Sequence, residues 1–278
     1  PFGDSSALAL YVLCGEVARN VKVVLSGDGS DELFAGYRRH EALMRILEPG
    51  VAEQLASWTG KIIPGNPGRE STLANKLRQV QRYARLSELR GSDLYSGVSR
   101  FVDEQELMGI GKGVSEPQFG YITPHSGLKE FLRQDQEFIL PGDMLVKTDR
   151  MSMAHGLEIR TPFLDHRVVE WARGRSSNAL RNKAQGKLPL RSEFGHLLPA
   201  EVFDRPKHGF EIPLQSWLSG PLKTQVSDAL EEGRFVALPF MSPSAIRSIR
   251  TAYIKGTFNP SLIWTLYVLS EWMHRNHR

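Results

Sequence analysis

The sequence predicts an α/β protein that is mostly α-helical and keeps a remnant of parallel sheet. Residues 21–25 (VKVVL) form a short β-branched run typical of a fully buried parallel strand. A turn rich in glycine and acids follows at once, as at the carboxyl edge of such a sheet. Nearly every other periodic segment has helical spacing. Because one strand cannot form a sheet, we expect its partner strands to come from outside these 278 residues.

Helices are predicted where apolar residues recur every three or four positions. One helix, 7–18, precedes the strand, and another, 31–47, runs on from the turn. Segments rich in Gly and Pro, 60–68 and 109–127, are predicted loops. The remaining predicted helices span 75–89, 128–140, 142–155, 221–232 and 259–274.

Composition excludes several classes of protein. The 35 basic and 31 acidic side chains give a net charge of +4, without the concentrated charge of a nucleic-acid-binding protein. No apolar run reaches the ~20 residues that cross a bilayer, and no signal segment opens the sequence. The single cysteine, Cys14, cannot form an internal disulfide and is interpreted as a small buried hydrophobe. We therefore expect a cytoplasmic protein with no nucleic-acid or membrane partner.

The turn after the strand reads S-G-D-G-S-D-E and places three acids close together. Gly27 and Gly29 allow a ligand to approach the backbone closely, so a nucleotide is expected here. Asp28, Asp31 and Glu32 would repel a bare phosphate, so the same picture requires a cation, and Mg²⁺ binds through carboxylates together with substrate phosphates. The alternative is structural: Asp28 or Ser30 caps the next helix while the other acids complement its dipole. Spacing alone does not separate the two.

Two other phosphate or metal motifs are excluded. A calcium loop that has Asp28 as its first residue would need a Glu as its twelfth, where Arg39 stands. Neither G-x-x-x-x-G-K-[ST] nor G-x-G-x-x-G occurs.

Two further stretches carry charged residues in an ordered pattern. In residues 143–165, Asp143, Lys147 and Arg150 share a helix face, and an extended segment is expected to present Glu158 and Arg160 together. Residues 204–214 (DRPKHGFEIPL) are a predicted loop whose Lys207 could reach charge that develops on a phosphate; the alternative is a lysine that is simply exposed to solvent. The basic run 173–187 is interpreted as a solvated loop, with phosphate contact as the alternative; its cations are Arg173, Arg175, Arg181, Lys183 and Lys187.

Three of these segments together resemble one family. "VKVVLSGDGSDELFAGYRRH", "LVKTDRMSMAHGLEIRTPFLD" and "RPKHGFEIPLQSWL", in this order, are similar to the synthetase domain of glutamine-dependent asparagine synthetases and related amidotransferases. The opening "PFGDSSALALYVL" fits the stretch just upstream. The match runs from residue 1 to about 220, and residues 1–278 are taken as one synthetase domain.

The resemblance implies an adenine-nucleotide α-hydrolase fold of the ATP pyrophosphatase type. It implies ATP and Mg²⁺ as cofactors, and aspartate and glutamine-derived ammonia as substrates; a homodimer is left open. In such enzymes aspartate attacks the α-phosphate of ATP, β-aspartyl-AMP forms as pyrophosphate leaves, and ammonia then displaces AMP to give asparagine.

The resemblance also implies roles for particular residues. Asp28, where many relatives have Glu, is tied to formation of the acyl-adenylate, and Asp31 is a Mg²⁺ ligand. Lys207 steadies pyrophosphate and the charged transition state. The nucleotide pocket is lined by Leu25, Ser26, Gly27 and Gly29. The second block contributes four residues without separate roles: Asp149, Arg150, Glu158 and Arg160.

Two parts of the family pattern do not occur in these 278 residues. One is the S-G-G-x-D-S pyrophosphate loop: the G-D-S-S of residues 3–6 does not replace it, because Pro1 and Phe2 stand where Ser and Gly are required. The other is a glutaminase domain with an N-terminal Cys nucleophile. We expect this piece alone neither to hydrolyse glutamine nor to adenylate aspartate.

Two other functional classes stay open from the sequence. Relatives on the same scaffold close β-lactam rings, cyclise peptides or amidate sugars and peptides, and G-D-G-S-D-E-L-F does not distinguish them. A non-catalytic role, with the helical part as an interaction module, is the second class.

Overall fold

Two short parallel strands form the sheet in the computed structural model, which describes residues 1–62, 72–100, 102, 110–111, 122–199, 201–202, 212–235, 238 and 241–276. Strand β1 (Val23–Leu25) pairs with β2 (Glu158–Arg160), with Val24 opposite Ile159. The prediction of a single strand is therefore wrong, because the partner lies in the same chain. The extended segment expected around Glu158 is confirmed and forms that partner.

Strand β1 is also more exposed than predicted. Leu25 is 71% exposed and Val23 42% exposed, whereas the intervening Val24 is half-buried. Successive side chains of a strand point to opposite faces of the sheet, so Val23 and Leu25 share one face, and that face is exposed in both strands. The expectation of a fully buried strand is wrong for this chain.

Helices make up most of the described chain. In the first half they are α1 (Ser6–Val17), α2 (Ser30–Leu33), α3 (Arg38–Leu47), α4 (Val51–Ile62), α5 (Thr72–Glu88), α6 (Gly91–Ser99) and α7 (Leu128–Gln134). A π-helix (Asp135–Met144) leads into α8 (Leu145–Met153), followed by α9 (His166–Arg173), α10 (Ser177–Leu180) and α11 (Leu188–Phe194). The C-terminal part contains α12 (Leu214–Ser219), α13 (Lys223–Ala229), α14 (Pro243–Ile254) and α15 (Pro260–Asn276). Short 3₁₀ turns lie at Pro162–Leu164, Gly195–Leu197 and Glu232–Phe235.

The predicted helix at 31–47 is broken into α2 and α3. Ala35 lies between them with φ +53°, a left-handed conformation that a helix cannot contain. The carbonyl oxygens exposed by the break are paired: the backbone N–H of Lys187 donates to Phe34 at 2.8 Å, and Arg181 Nη1 donates to Ala35 at 2.9 Å. Contacts from a distant segment thus stabilise the break.

The predicted helices 128–140 and 142–155 are instead one continuous rod. The π-helix joins α7 to α8 and accommodates Pro141, which has no N–H to donate. The proline therefore changes the helix type rather than ending the helix. The prediction that the rod stops near Gly156 is confirmed, since α8 ends at Met153 and Gly156 has φ +62°.

Apolar side chains form two cores. The first lies beneath the acid turn and α3, and its fully buried members include Leu33, Phe34, Leu43, Leu94 and Phe131. The second joins the C-terminal helices, with Leu218, Val226, Leu230, Ile246 and Ile263 at its centre. Cys14 is 2% exposed, as expected of a small buried hydrophobe.

The basic run 173–187 is a solvated loop only in part: Arg173, Arg175 and Lys183 are exposed, as predicted. It contains α10, and Arg181 is 3% exposed. Arg175 stacks on Trp171 with its guanidinium carbon 4.1 Å from the ring centroid. The end of the run packs against the segment that follows the acid turn, and Lys187 pairs with one acid of that turn, Asp31.

Two predicted loops lie largely outside the described residues. In the first, α4 extends to Ile62, and positions 63–68 are not described. In the second, only 110–111 and 122–127 are described. Among the helices of the described ranges, none has the length and apolar character required of a membrane span.

Candidate active site

The acid turn leaves the sheet at its carboxyl edge, as predicted. The backbone N–H of Ser26 donates to the carbonyl of Arg160 at 2.9 Å, so the last bond of the sheet ties the turn to the end of β2. Gly29 has φ +87°, and a Cβ at this position would collide with Leu164. Glycine is needed here both for the left-handed conformation and for close packing on the Pro162–Leu164 turn.

The helix-capping part of the structural alternative for the turn is wrong. The N-cap of α2 is Gly29, and no side chain makes a capping hydrogen bond there. Asp31 and Glu32 do occupy the first turn of α2, so the other half of that alternative, in which they complement the helix dipole, is confirmed. The three acids then point to three different partners, which separates their charges.

Asp28 is held through one of its two carboxylate oxygens. Its Oδ2 accepts hydrogen bonds from Ser26 Oγ and from Thr148 Oγ1, both at 2.9 Å. No residue of the described ranges donates to Oδ1. One oxygen is therefore fixed by the protein, and the other is available to a ligand.

Asp31 is paired with a lysine of the basic run. Lys187 Nζ lies 3.1 Å from Asp31 Oδ1 and donates to Ser30 Oγ at 2.9 Å. A Cβ at Gly36 would collide with both the Asp31 carboxylate and the Lys187 side chain, so glycine makes room for this pair. Sequence reasoning missed Lys187 as a site residue, although it had expected a cation among these acids.

Glu32 turns away from the other two acids into the first core. It is 1% exposed, and its Oε1 accepts a hydrogen bond from the Tyr37 hydroxyl at 2.5 Å. Burial raises the pKa of Glu32, and burial together with the neighbouring Glu32 carboxylate raises the pKa of Tyr37. The buried hydrogen bond between Glu32 and Tyr37 therefore anchors the segment between α2 and α3 to the core.

Beneath this pair, Asp135 at the start of the π-helix accepts three hydrogen bonds. Arg39 Nη2 (2.8 Å) and His40 Nε2 (2.7 Å) contact Oδ2, and the Tyr95 hydroxyl contacts Oδ1 at 2.7 Å. Burial opposes the charge of Asp135, but the bond from His40 and the charge of Arg39 hold its pKa below the ordinary value. Burial lowers the pKa of His40, so the imidazole is neutral at pH 7 and donates to the carboxylate.

A second cation–acid pair joins the N-terminal stretch to the second block. Lys147 Nζ lies 2.6 Å from Asp4 Oδ2 and donates to Ser6 Oγ at 3.0 Å. Asp4 Oδ1 accepts the backbone N–H of Ser6 at 2.9 Å, so the carboxylate also holds the first turn of α1. Asp143, predicted on the same helix face as Lys147, has its pKa raised by burial and by the nearby charge of Asp4.

The structure brings only some of the predicted second-block residues to the turn. Arg160 ends β2 beside Ser26, and its Nε lies 2.8 Å from Glu158 Oε1, as expected for two exposed residues on one side of a strand. Asp149 and Arg150 lie on the exposed side of α8, next to the buried Thr148. Lys207 lies outside the described residues, so its predicted role is untested.

The turn itself supplies the predicted nucleotide-binding residues. Leu25 and Gly27 are exposed, Ser26 is half-buried, and a Cβ at Gly27 would have no atom nearer than 4.0 Å. Packing within the protein therefore does not require glycine at 27, whereas close approach of a ligand to this backbone would. Within the described part of the chain, no group of three or more His, Cys, Asp or Glu residues is placed to hold a metal ion.

Most of the similar known proteins are described as asparagine synthetases. The family model for asparagine synthase matches residues 1–274. Asparagine synthetase [glutamine-hydrolyzing] 1 of Bacillus subtilis is 25% identical over 98% of this chain and 43% of its own length. A putative asparagine synthetase [glutamine-hydrolyzing] of Mycobacterium bovis is 30% identical over 78% of this chain and 34% of its own length. Amidase chry2 of Gibberella zeae is 23% identical over 93% of this chain and 42% of its own length.

The chain thus spans less than half the length of these curated relatives. The family match covers the acid turn, both strands and all but the last four residues. On these grounds the chain belongs to the asparagine synthase family.

Proposed function

We propose that the full-length protein carrying this chain forms asparagine from aspartate, with ATP as the energy source and glutamine as the source of ammonia. Aspartate displaces pyrophosphate from the α-phosphate of ATP to give β-aspartyl-AMP, and ammonia then displaces AMP. Residues 1–278 are the synthetase domain of that protein, with an adenine-nucleotide α-hydrolase fold and a cytoplasmic location.

The observation that carries this proposal is the construction of the acid turn at the carboxyl edge of the sheet. Its backbone is open at Gly27, and Asp28 keeps one carboxylate oxygen to which no described residue donates. An open α/β sheet binds its ligand at this edge. Family membership makes a nucleotide the expected ligand, and Leu25, Ser26, Gly27 and Gly29 are the residues that would line its pocket.

The carboxylates at the turn are too few to bind a metal ion by themselves. They do fit a magnesium ion that is bound together with a nucleotide. Mg²⁺ usually binds through one or two carboxylates and completes its shell with phosphates and water, so a cluster of three acids is not required. Asp31 would hold the ion. When bound, the ion would neutralise phosphate charge.

Individual side chains of this chain have different roles in the proposed reaction. Asp28 contacts the reacting carboxylate and phosphate region through its second oxygen and assists formation of the acyl-adenylate. Lys187 balances the charge of Asp31 at the start of α2. Lys207 would stabilise pyrophosphate as it forms, since a preplaced cation acts most strongly where charge develops. Asp149, Arg150, Glu158 and Arg160 remain candidates at the rim of the site.

A second candidate function is amide formation on a different carboxylate. The similarity to Amidase chry2, over 93% of this chain, favours keeping it. Both functions share the adenylating step and differ only in the acid that is activated.

Pyrophosphate exchange into ATP tests the proposal and separates the two functions. The full-length protein is incubated with labelled pyrophosphate, ATP, Mg²⁺ and one carboxylate at a time: aspartate, glutamate, a sugar acid or a peptide acid. We expect exchange with aspartate and its loss in Asp28→Asn. Exchange with another acid alone would favour the second function, and no exchange with any acid would reject both.

A further inference from the structure

We propose that Thr148 is a positioning residue that orients the carboxylate of Asp28 for acyl-adenylate formation. The inference rests on the proposed function and adds to it a residue that the sequence pattern did not single out. Thr148 itself is not proposed to contact the substrate. It acts through the hydrogen bond from its Oγ1 to Asp28 Oδ2, which is 2.9 Å long.

The two donors to Asp28 Oδ2 differ in what they can fix. Ser26 lies two residues from Asp28 in the same turn, so its hydroxyl moves whenever the turn moves. Thr148 lies on α8, within the continuous rod that begins at Leu128. Only the bond from Thr148 ties the carboxylate to a separate element of the fold.

The Thr148 hydroxyl is held in a fixed orientation. Thr148 is 7% exposed, and its β-branched side chain has few rotamers on a helix. A threonine hydroxyl on a helix commonly bonds to a carbonyl one turn back, but this one donates to Asp28 instead. The π-helix just upstream changes the helical phase, and so determines which side of α8 faces the turn.

The arrangement suits an aspartate and not the longer glutamate. With Oδ2 held by two hydroxyl groups, Oδ1 is left as the oxygen for a ligand. A glutamate in place of Asp28 would carry its carboxylate about one methylene farther from the backbone and could not place an oxygen at the same distance from both donors. Thr148 therefore matters when this position is aspartate, and it should matter little when the position is glutamate.

The test is a double-mutant cycle in the full-length protein, with T148V, D28E and the combined variant. Valine has nearly the shape of threonine without the hydroxyl. We expect T148V to lower kcat roughly tenfold, as for loss of one hydrogen bond to a charged group, and to change KM for ATP less than about twofold. T148S should recover most of the rate. In the D28E background, T148V should change kcat less than about twofold.

A matched control removes a threonine hydroxyl on a different helix. Thr251 on α14 donates to the carbonyl of Arg247 at 2.8 Å, and T251V should leave kcat unchanged. An equal loss of rate on T148V in the wild-type and D28E backgrounds would show that Thr148 acts through stability alone. An unchanged kcat in T148V would likewise overturn the proposal.

Crystal structures of the wild type, T148V and T148S give a readout that does not depend on turnover. The Asp28 carboxylate should rotate away in T148V and keep its position in T148S. If the wild type activates no carboxylate, the proposed function fails, yet this rotation would still establish positioning. A carboxylate that stays in place in T148V rejects the positioning role whatever the activity.

Discussion

Lys187 Nζ lies 3.1 Å from Asp31 Oδ1, which joins the basic run to the acid turn. The two segments are far apart in the sequence. The acid turn carries excess negative charge, and the basic run carries excess positive charge. This contact offsets the charge of one of the three acids at the end of β1, while Asp28 and Glu32 accept hydrogen bonds from hydroxyl groups. It also places a cation at the edge where the nucleotide is proposed to bind.

The Lys187–Asp31 pair should contribute modestly to stability. Both side chains are partly exposed, 32% and 21%, so solvent weakens the attraction. We expect K187M to lower the free energy of unfolding by about 1 kcal/mol, and K187M in a D31N background to cost clearly less. Urea unfolding of the four proteins measures this coupling, with K183M at an exposed lysine as the control. If the losses in free energy of unfolding from K187M and D31N simply add in the double variant, the pair contributes nothing to stability.

Gly36 should be required for the same pair. A Cβ there would overlap the Asp31 carboxylate and the Lys187 side chain, so G36A forces them apart and costs about 1–3 kcal/mol. The matched control is G142A, since a Cβ at Gly142 would meet nothing within 4 Å. Thermal unfolding of both variants checks the prediction. An equal effect of the two substitutions would contradict the close contact at Gly36.

His40 should make the protein less stable as the pH falls. Burial lowers its pKa in the folded state below the ordinary 6.5, so below pH 6.5 the unfolded chain binds a proton that the folded protein does not. The free energy of unfolding should therefore fall through this window, by at most about 1.4 kcal/mol per pH unit, until the folded-state pKa is reached. Denaturant unfolding between pH 7 and 4 measures it.

In H40Q this part of the pH dependence should disappear, because glutamine can still donate to Asp135 but does not titrate. H125Q, at an exposed histidine, is the matched substitution for comparison. A slope that survives in H40Q would assign the effect to other groups.

Lys207 should act mainly on the rate of turnover. K207A in the full-length protein should lower kcat by roughly 10² to 10³, as expected when a preplaced cation that acts in the transition state is removed. KM values for ATP and aspartate should change much less. K255A, at an exposed lysine after α14, is the control. A rate constant unchanged in K207A would remove this residue from the mechanism.

The sequence predicted the parts of the site that depend on local chemistry. The glycine-rich acid turn after β1 and the extended segment with Glu158 and Arg160 were both recognisable, because backbone freedom and alternation are local properties. The pairing of that segment with β1 was missed, since a three-residue stretch with a charged residue at each end does not resemble a sheet strand until it pairs.

The features of the fold and site that the sequence did not predict depend on contacts between distant segments. The break at Ala35 is stabilised by Lys187 and Arg181, and helix propensity alone favours continuing through it. The partner of Asp28 is likewise a threonine on another helix. Neither contact leaves a pattern in the sequence, although the surplus positive charge of the basic run was a usable signal for Lys187.

Oxygen-18 in the β-carboxylate of aspartate reports whether the enzyme activates aspartate as an adenylate. The full-length protein is given labelled aspartate, ATP, Mg²⁺ and glutamine, and the nucleotide products are analysed by mass spectrometry. If aspartate attacks the α-phosphate, one labelled oxygen stays with AMP when ammonia displaces it. Label in inorganic phosphate with formation of ADP, or AMP formed without label, would contradict activation of aspartate as its adenylate.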